Sequence, residues 1–303
     1  MLRVAFFGGS GEASTSALGA LSKIHRVVAV VSAGSPSPLR RTIRFALSRS
    51  GLIAPNPLFA WAWANGVPSL EAASGADKHI AARLKKLAPD VLCVAAFPRI
   101  LAAPILETAA LSAVNVHPSL LPRHRGAAPL FWIYYHDDRE TGVTVHLMNE
   151  RADSGAILAQ ESFELPRGLA IDRLHARSST IGAALLLQVL ERLEAGCAKA
   201  LPQDERFATK APRVDRSAPM VNFAEWNAER VWHFLSGLCP RFREPLVDAA
   251  GKKVQYASVL GYEEGACGFP AGSVRRASHG WTLHCRDGAV HLGDAPARRI
   301  ERA

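Results

Sequence analysis

Short, continuously apolar runs recur through the first third of the chain, each separated from the next by a helical segment. Residues 2–7 and 26–32 are β-branched and apolar, with a helix predicted over 14–23 between them. Residues 90–96 and 113–117 repeat the theme, preceded by helical stretches at 77–87 and 104–108. A strand that is apolar on both faces has to be covered on both, which alternating helices accomplish. The expectation is an α/β fold, a Rossmann-like, doubly wound, mostly parallel sheet. Ligands on such sheets bind beyond the carboxyl ends of the strands, so the chemistry is sought there.

A further strand is expected at 142–148, then a loop over 149–155. A long helix follows at 171–195, with Ala183, Leu186, Leu187, Val189, Leu190 and Leu193 along its apolar stripe. At residue 196 the texture changes. Residues 196–219 are polar, contain Pro202, Pro212 and Pro219, and lack periodicity, which reads as a linker. Beyond it lie a helix at 228–236 and strand-like pieces at 254–260, 272–276, 281–285 and 290–292, separated by glycine-containing turns. That pattern suggests a small, OB-like β-barrel of about a hundred residues. The division is thus 1–195, a linker at 196–219, and a small domain at 220–303. One stretch interrupts the first domain: Pro36, Pro38, Arg40, Arg41, Arg44 and Arg49, followed by Pro55, Pro57, Trp61 and Trp63. It is either a peripheral helix packing Leu39, Ile43 and Leu47 or a basic substrate-binding arm.

Composition narrows the function classes. With 303 residues, 49% of them hydrophobic, the chain can bury a large core without disulfide or metal staples. Its apolar runs are too short to span a bilayer, and Met1 to Val4 lead directly into a strand, so no membrane partner and a cytoplasmic location are expected. The five cysteines show no CxxC spacing and the histidines no HExxH, so no metal is expected, and Cys93 reads as a reduced core residue. The net charge of +9 attracts anions such as nucleic acid or nucleotide-linked substrates; a merely solvated arginine-rich surface is the alternative.

The residues that carry chemistry begin at Val114-Asn115-Val116-His117-Pro118. In a strand Asn115 and His117 share a face, and Pro118 keeps His117 extended. Two prolines and Gly126 then shape the loop Ser119 to Pro129, and a helix from Pro129 would aim its N-terminal dipole at the site. Asp153, in the tight turn Arg151-Ala152-Asp153-Ser154-Gly155, supplies a carboxylate able to orient the histidine or accept a proton.

At these residues the sequence resembles the folate-dependent formyltransferase family. The resemblance rests on residues 115–122, on Arg125-Gly126-Ala127-Ala128-Pro129, on Thr141-Gly142-Val143-Thr144 and on Asp153-Ser154-Gly155-Ala156-Ile157. It covers about two hundred residues well and continues more loosely through Phe207-Ala208-Thr209-Lys210 into a part that looks like the small barrel of the family's tRNA-formylating members. It implies an enzyme with N10-formyltetrahydrofolate as co-substrate and a primary amine as acceptor. Asn115, His117 and Asp153 would be the catalytic trio. Phe97, Arg99, Ile100, Leu101, Ser119, Leu120, Leu121 and Pro122 would line the folate site. Arg125, Gly126, Arg40, Arg41 and Arg44 would bind the acceptor.

Two acceptors fit. The barrel and the basic charge favour initiator methionyl-tRNA, with phosphate contacts from Arg40, Arg41, Arg44 and a basic barrel. Residues 145–153 are closer to enzymes that formylate nucleotide-linked amino sugars, and the basic loop lacks the glycine–lysine pattern of the tRNA-contacting loop. Two other readings compete. Phe7-Gly8-Gly9-Ser10-Gly11 suggests a nicotinamide oxidoreductase, but Ser14 stands at the third glycine and no acidic residue closes the second strand. A non-catalytic RNA-binding module would leave Asn115, His117 and Asp153 unexplained.

Overall fold

The computed structural model describes residues 1–33, 56–73, 75–266 and 268–294. Arg40, Arg41 and Arg44, with the rest of the basic stretch at 34–55, lie outside the described residues. The chain forms two compact units. One comprises residues 1–129, 141–163 and 175–212; the other comprises 130–140, 164–174 and the chain from 213 onward.

The first unit is built on a seven-stranded sheet. In chain order its strands are β1 (Arg3–Gly8), β2 (Arg26–Ala33), β3 (Ser69–Ala72), β4 (Val91–Ala95), β5 (Ser112–His117), β6 (Glu140–Leu147) and β7 (Ile157–Glu164). Their spatial order is β3-β2-β1-β4-β5-β6-β7. The pairs from β3 to β5 are parallel, while β5 and β6 are antiparallel. This is the expected mostly parallel sheet. The strands β3 and β7 were not anticipated, because their polar residues (Glu71; Gln160, Glu161) break the apolar signature of buried strands.

The apolar runs form strands because both faces are covered. Every residue of β4 is buried. On one face Ala5, Phe7, Ala29, Val31, Leu92 and Val94, two apart along their strands, meet Ile80, Ala81 and Leu84 of the helix Asp77–Leu87. Each large side chain so buried contributes roughly 1.5–3 kcal/mol. Cys93, on the opposite face of β4, is buried as well, and burial pushes its thiol upward.

The topological switch lies at β1, which has β2 on one side and β4 on the other. The glycine-rich turn after β1 is closed by a serine. Ser14 Oγ accepts from Gly9 N at 2.9 Å and donates to Ala95 O at 2.7 Å. A Cβ on Gly8 would sit 2.8 Å from that of Ser14, so the glycine permits this closure. The Gly9 amide is therefore bonded within the protein.

In the second unit, β8 (Tyr256–Glu264), β9 (Val274–Ala277), β10 (Gly280–Cys285) and β11 (Gly288–Asp294) form a four-stranded antiparallel sheet in the order β8-β11-β10-β9. The helix Ala228–Leu238 starts at Asn227, whose side chain accepts from Arg230 N at 2.9 Å, and buries Val231, Phe234, Leu235 and Leu238. Phe234 packs edge-on against Phe131 and Phe242.

Residues 196–212 do not stand apart as a linker; they group with the first unit. Leu201 bridges Ile157, and Lys210 bridges Arg125. Aperiodic polar sequence marks a backbone outside regular structure, and a strap bonded to loops has the same signature as a free linker.

Candidate functional site

The antiparallel register of β5 and β6 sets Asn115 opposite His146 and His117 opposite Thr144. Because residues two apart share a face, these four side chains make one polar surface, while Val114, Val116, Val143 and Val145 belong to the other. That apolar face is closely covered: a Cβ on Gly182 would lie 2.6 Å from Val116 Cγ1.

Asp153 reaches this surface from the turn after β6. Its φ of +50° is a left-handed conformation that Asp tolerates better than most residues. Oδ1 accepts from Asn115 Nδ2 at 3.3 Å and lies 3.5 Å from His146 Nε2. Oδ2 accepts from Gly126 N at 2.8 Å and lies 3.6 Å from His117 Nδ1. Burial alone would raise this carboxyl, but His117, His146 and the Gly126 amide together hold it at about 2. It is anionic at neutral pH.

His117 is buried and balanced in the opposite sense. Burial lowers its imidazole, against the pull of Asp153 and of the His124 carbonyl. The hydrogen-bond network assigns its neutral tautomer: Nε2–H donates to His124 O at 2.9 Å, which leaves the Nδ1 lone pair on the Asp153 side. His146 takes the other tautomer. Its Nδ1–H donates to Leu147 O at 2.7 Å, so Nε2 accepts from Asn115 Nδ2 at 3.2 Å. An ionised carboxylate, an imidazole with a free basic nitrogen and a primary amide thus stand together, a set able to move a proton and to donate to a developing oxyanion.

The loop after β5 is braced from below. Ser119 Oγ donates to Arg123 O at 2.8 Å, and Thr144 Oγ1 donates to Ser119 O at 2.7 Å. Gln160 Nε2 donates to Thr144 Oγ1 and to Leu121 O. Ser119 and Leu121 are buried braces, and of the four residues expected to line the folate site only Leu120 and Pro122 keep partial exposure. In the neighbouring loop Leu101 belongs to the core, and Arg99 is tied by Nη1 to Ala72 O and Ala73 O, both at 2.7 Å. Phe97, edge-on to Phe7, keeps partial exposure, as Arg99 does, and Ile100 is exposed.

Arg125 and Gly126, expected to contact the acceptor, are engaged internally. The Arg125 guanidinium is held by Gln203 Oε1 and by both oxygens of Glu205. Gly126 permits close approach of its own chain: at φ +128°, an added Cβ would lie 2.6 Å from Ala211 O. The residues that sequence reasoning missed are His146, Thr144, Gln160, Gln203 and Thr209. His146 and Thr144 had a signal, since they repeat the two-residue spacing of Asn115 and His117 on the next strand. Among the described residues, no three His, Cys, Asp or Glu side chains are grouped to hold a metal ion, and no helix is long and apolar enough to cross a membrane.

Comparison with known proteins gives the family. The family model described as "Formyl transferase" matches residues 2–190. A methionyl-tRNA formyltransferase of Syntrophus aciditrophicus is 33% identical over 251 residues, covering 83% of this chain and 80% of the relative. One from Anaeromyxobacter dehalogenans is 38% identical over 241 residues, with coverages of 79% and 73%. Among solved structures, the N-formyltransferase from Helicobacter canadensis in complex with folinic acid and dTDP-3-aminofucose aligns with a TM-score of 0.70 at 14% identity, over 97% of this chain and 99% of its own. HypX from Aquifex aeolicus in complex with tetrahydrofolic acid aligns with a TM-score of 0.64 at 18% identity, over 96% of this chain and 43% of its own. With a family model matching more than half of its residues, the chain belongs to the formyl transferase family.

Proposed function

We propose that this formyl transferase moves the formyl group of N10-formyltetrahydrofolate to the amino group of initiator methionyl-tRNA, with Asn115, His117 and Asp153 as its catalytic residues. The observation that carries the reading is the anionic Asp153 between Asn115 Nδ2 and His117 Nδ1. The neutral amine nitrogen attacks the formyl carbon, and the carbonyl π pair moves onto oxygen. Asn115 Nδ2 turns one of its two hydrogens from His146 Nε2 to that oxyanion, keeping the other on Asp153 Oδ1, an interaction worth roughly 3–4 kcal/mol in comparable sites. The proton released by the attacking nitrogen passes to His117 Nδ1, directly or through a water, and Asp153 balances the imidazolium. The bond from the formyl carbon to N10 then breaks, its electron pair returns to N10, and the proton follows it as tetrahydrofolate leaves. Among the loop residues, Phe97, Ile100, Leu120 and Pro122 are proposed to face the folate.

The tRNA acceptor is favoured by the two methionyl-tRNA formyltransferases, which span most of this chain at 33% and 38% identity. The charge argument rests on Arg40, Arg41 and Arg44, in a stretch without an acidic residue; residues 220–303 are nearly balanced, with eleven Lys and Arg against nine Asp and Glu. The four-stranded sheet is read as the core of a small OB-like barrel, and residues 213–219 as the connection leading to it. A nucleotide-linked amino sugar is the second reading, favoured by the likeness over nearly its full length to the Helicobacter enzyme bound to dTDP-3-aminofucose.

An acceptor panel with N10-formyltetrahydrofolate tests this, comparing methionyl-tRNA with amino-sugar nucleotides across a salt series. For tRNA, log affinity should fall with log salt by about 0.7–0.9 per phosphate contact, and the Arg40/Arg41/Arg44 triple alanine variant should flatten that slope. Formylation of an amino-sugar nucleotide but not of methionyl-tRNA would replace the first acceptor with the second.

A further inference from the structure

We propose that Gln203 is a positioning residue for the reaction, clamping the turn that carries Asp153; this rests on the reading of Asp153 given above. The amide of Gln203 spends both of its ends at the site. Its Nε2 donates to Asp153 O at 2.8 Å and to Gly155 O at 2.6 Å. Its Oε1 accepts from Arg125 Nε at 2.9 Å and Nη2 at 2.7 Å. Glu205 completes the hold on Arg125 from the same strap.

The turn needs such a clamp. Asp153 is left-handed at φ +50°, and Gly155 is packed so closely that a Cβ would lie 1.8 Å from Leu147 O. Two donors from one side chain fix the carbonyls on either side of Ser154, and thereby the direction in which the Asp153 carboxylate leaves the chain. The opposite side of the site is held from the same strap. Thr209 Oγ1 accepts from His124 N at 2.8 Å, and His124 O is the acceptor of His117 Nε2–H. The strap therefore bonds to the segments that carry both members of the proton-moving pair. Gln203 is the member with donors as well as acceptors in play, which makes it the one a conservative change can invert.

Gln203→Glu keeps the size and the partnership with Arg125 but turns the donors facing Asp153 O and Gly155 O into acceptors. Gln203→Ala removes the clamp. Both should lower kcat by about ten- to a hundredfold, as expected for a displacement near 1 Å, with KM for folate and acceptor little changed. The second readout needs no turnover. The charged and titratable groups facing His117 are Asp153, His124 and His146. Moving the Asp153 carboxylate away removes what raises the imidazole, so in [15N]histidine-labelled protein His117 should titrate at lower pH in both variants than in the wild type. A loss of thermal stability with unchanged kcat and unchanged His117 titration would make Gln203 merely structural and overturn the proposal. If Asp153→Ala itself retained formyl transfer, the assignment of Asp153 would fall, whatever the Gln203 variants did.

Discussion

Two carboxyls withdrawn from solvent, one in each unit, show how their surroundings can shift such groups in opposite directions. Asp153 accepts one backbone amide, from Gly126, and is otherwise surrounded by Asn115, His117 and His146; it is held at about 2. Glu244 accepts the amides of Met220 and Val221, at 3.0 to 3.2 Å, and burial raises it above the ordinary carboxyl range despite them. Two neutral amides do not outweigh burial, whereas imidazoles and an amide together do. The first carboxylate keeps a charge that can serve proton transfer, and the second braces a backbone.

The comparison breaks if the two groups can be exchanged in their consequences, and the largest effect is expected at the first. Asp153→Ala and His117→Ala should each reduce kcat by on the order of a hundredfold or more while circular dichroism and melting remain near those of the wild type. Asn115→Ala should behave similarly. Asn115→Asp should be no better, because a carboxylate cannot donate to the oxyanion and would stand beside the Asp153 anion. Near-normal turnover in Asp153→Ala would mean that its charge is structural after all, and in either of the others that the residue replaced takes no part in the reaction.

A smaller effect sharpens the same contrast through pH. His117 acts as a base only when neutral, and its imidazole is lowered from the ordinary 6.5, chiefly by burial. Once the acceptor's own amine titration is divided out, kcat/KM should therefore stay level from neutrality down past 6.5 and then fall by about tenfold per unit as His117 gains its proton. Asp153, already ionised, adds nothing until far lower pH. Loss of activity on the alkaline side instead, as His117 gives up its proton, would mean that His117 enters the reaction charged, and the proton path drawn here would have to be reversed.

Much of the fold was legible because parallel strands buried on both faces leave an apolar signature, as in residues 26–32 and all of β4. Asn115 and His117 were legible because two polar residues at strand spacing before a proline have few structural reasons to be there. His146 sits as deep in the cluster and repeats that spacing with Thr144, but it is the antiparallel register, a tertiary fact, that brings it opposite Asn115. Arg125 and Gly126 were expected as acceptor contacts from the family resemblance. In the structure the Arg125 charge is spent on Gln203 and Glu205, and the backbone freedom of Gly126 on Ala211. The strap itself was illegible as such: its bonds run from loop to loop, a pattern with no period to detect.

The smallest expected effect lies at Glu244. Replacing it with Ala leaves the amides of Met220 and Val221 without their acceptor, a loss of about 1–3 kcal/mol, or roughly 2–4 °C in melting temperature per kcal/mol for a chain of this size. Gln keeps an acceptor oxygen and removes the ionisation, so Glu244→Gln should change stability at neutral pH by no more than about 1 kcal/mol. The sign of its pH dependence is the sharper measurement. A carboxyl raised in the folded state contributes stability that is fully present below its unfolded value of 4.5 and is lost as pH rises through the folded value. Denaturant unfolding between pH 4 and 8 should therefore show the wild type losing stability relative to Glu244→Gln on the alkaline side, with formyl transfer equal in the two proteins. A wild type that instead gained on the variant with rising pH would mean that Glu244 is stabilised as an anion, and the contrast with Asp153 would reduce to one of location alone.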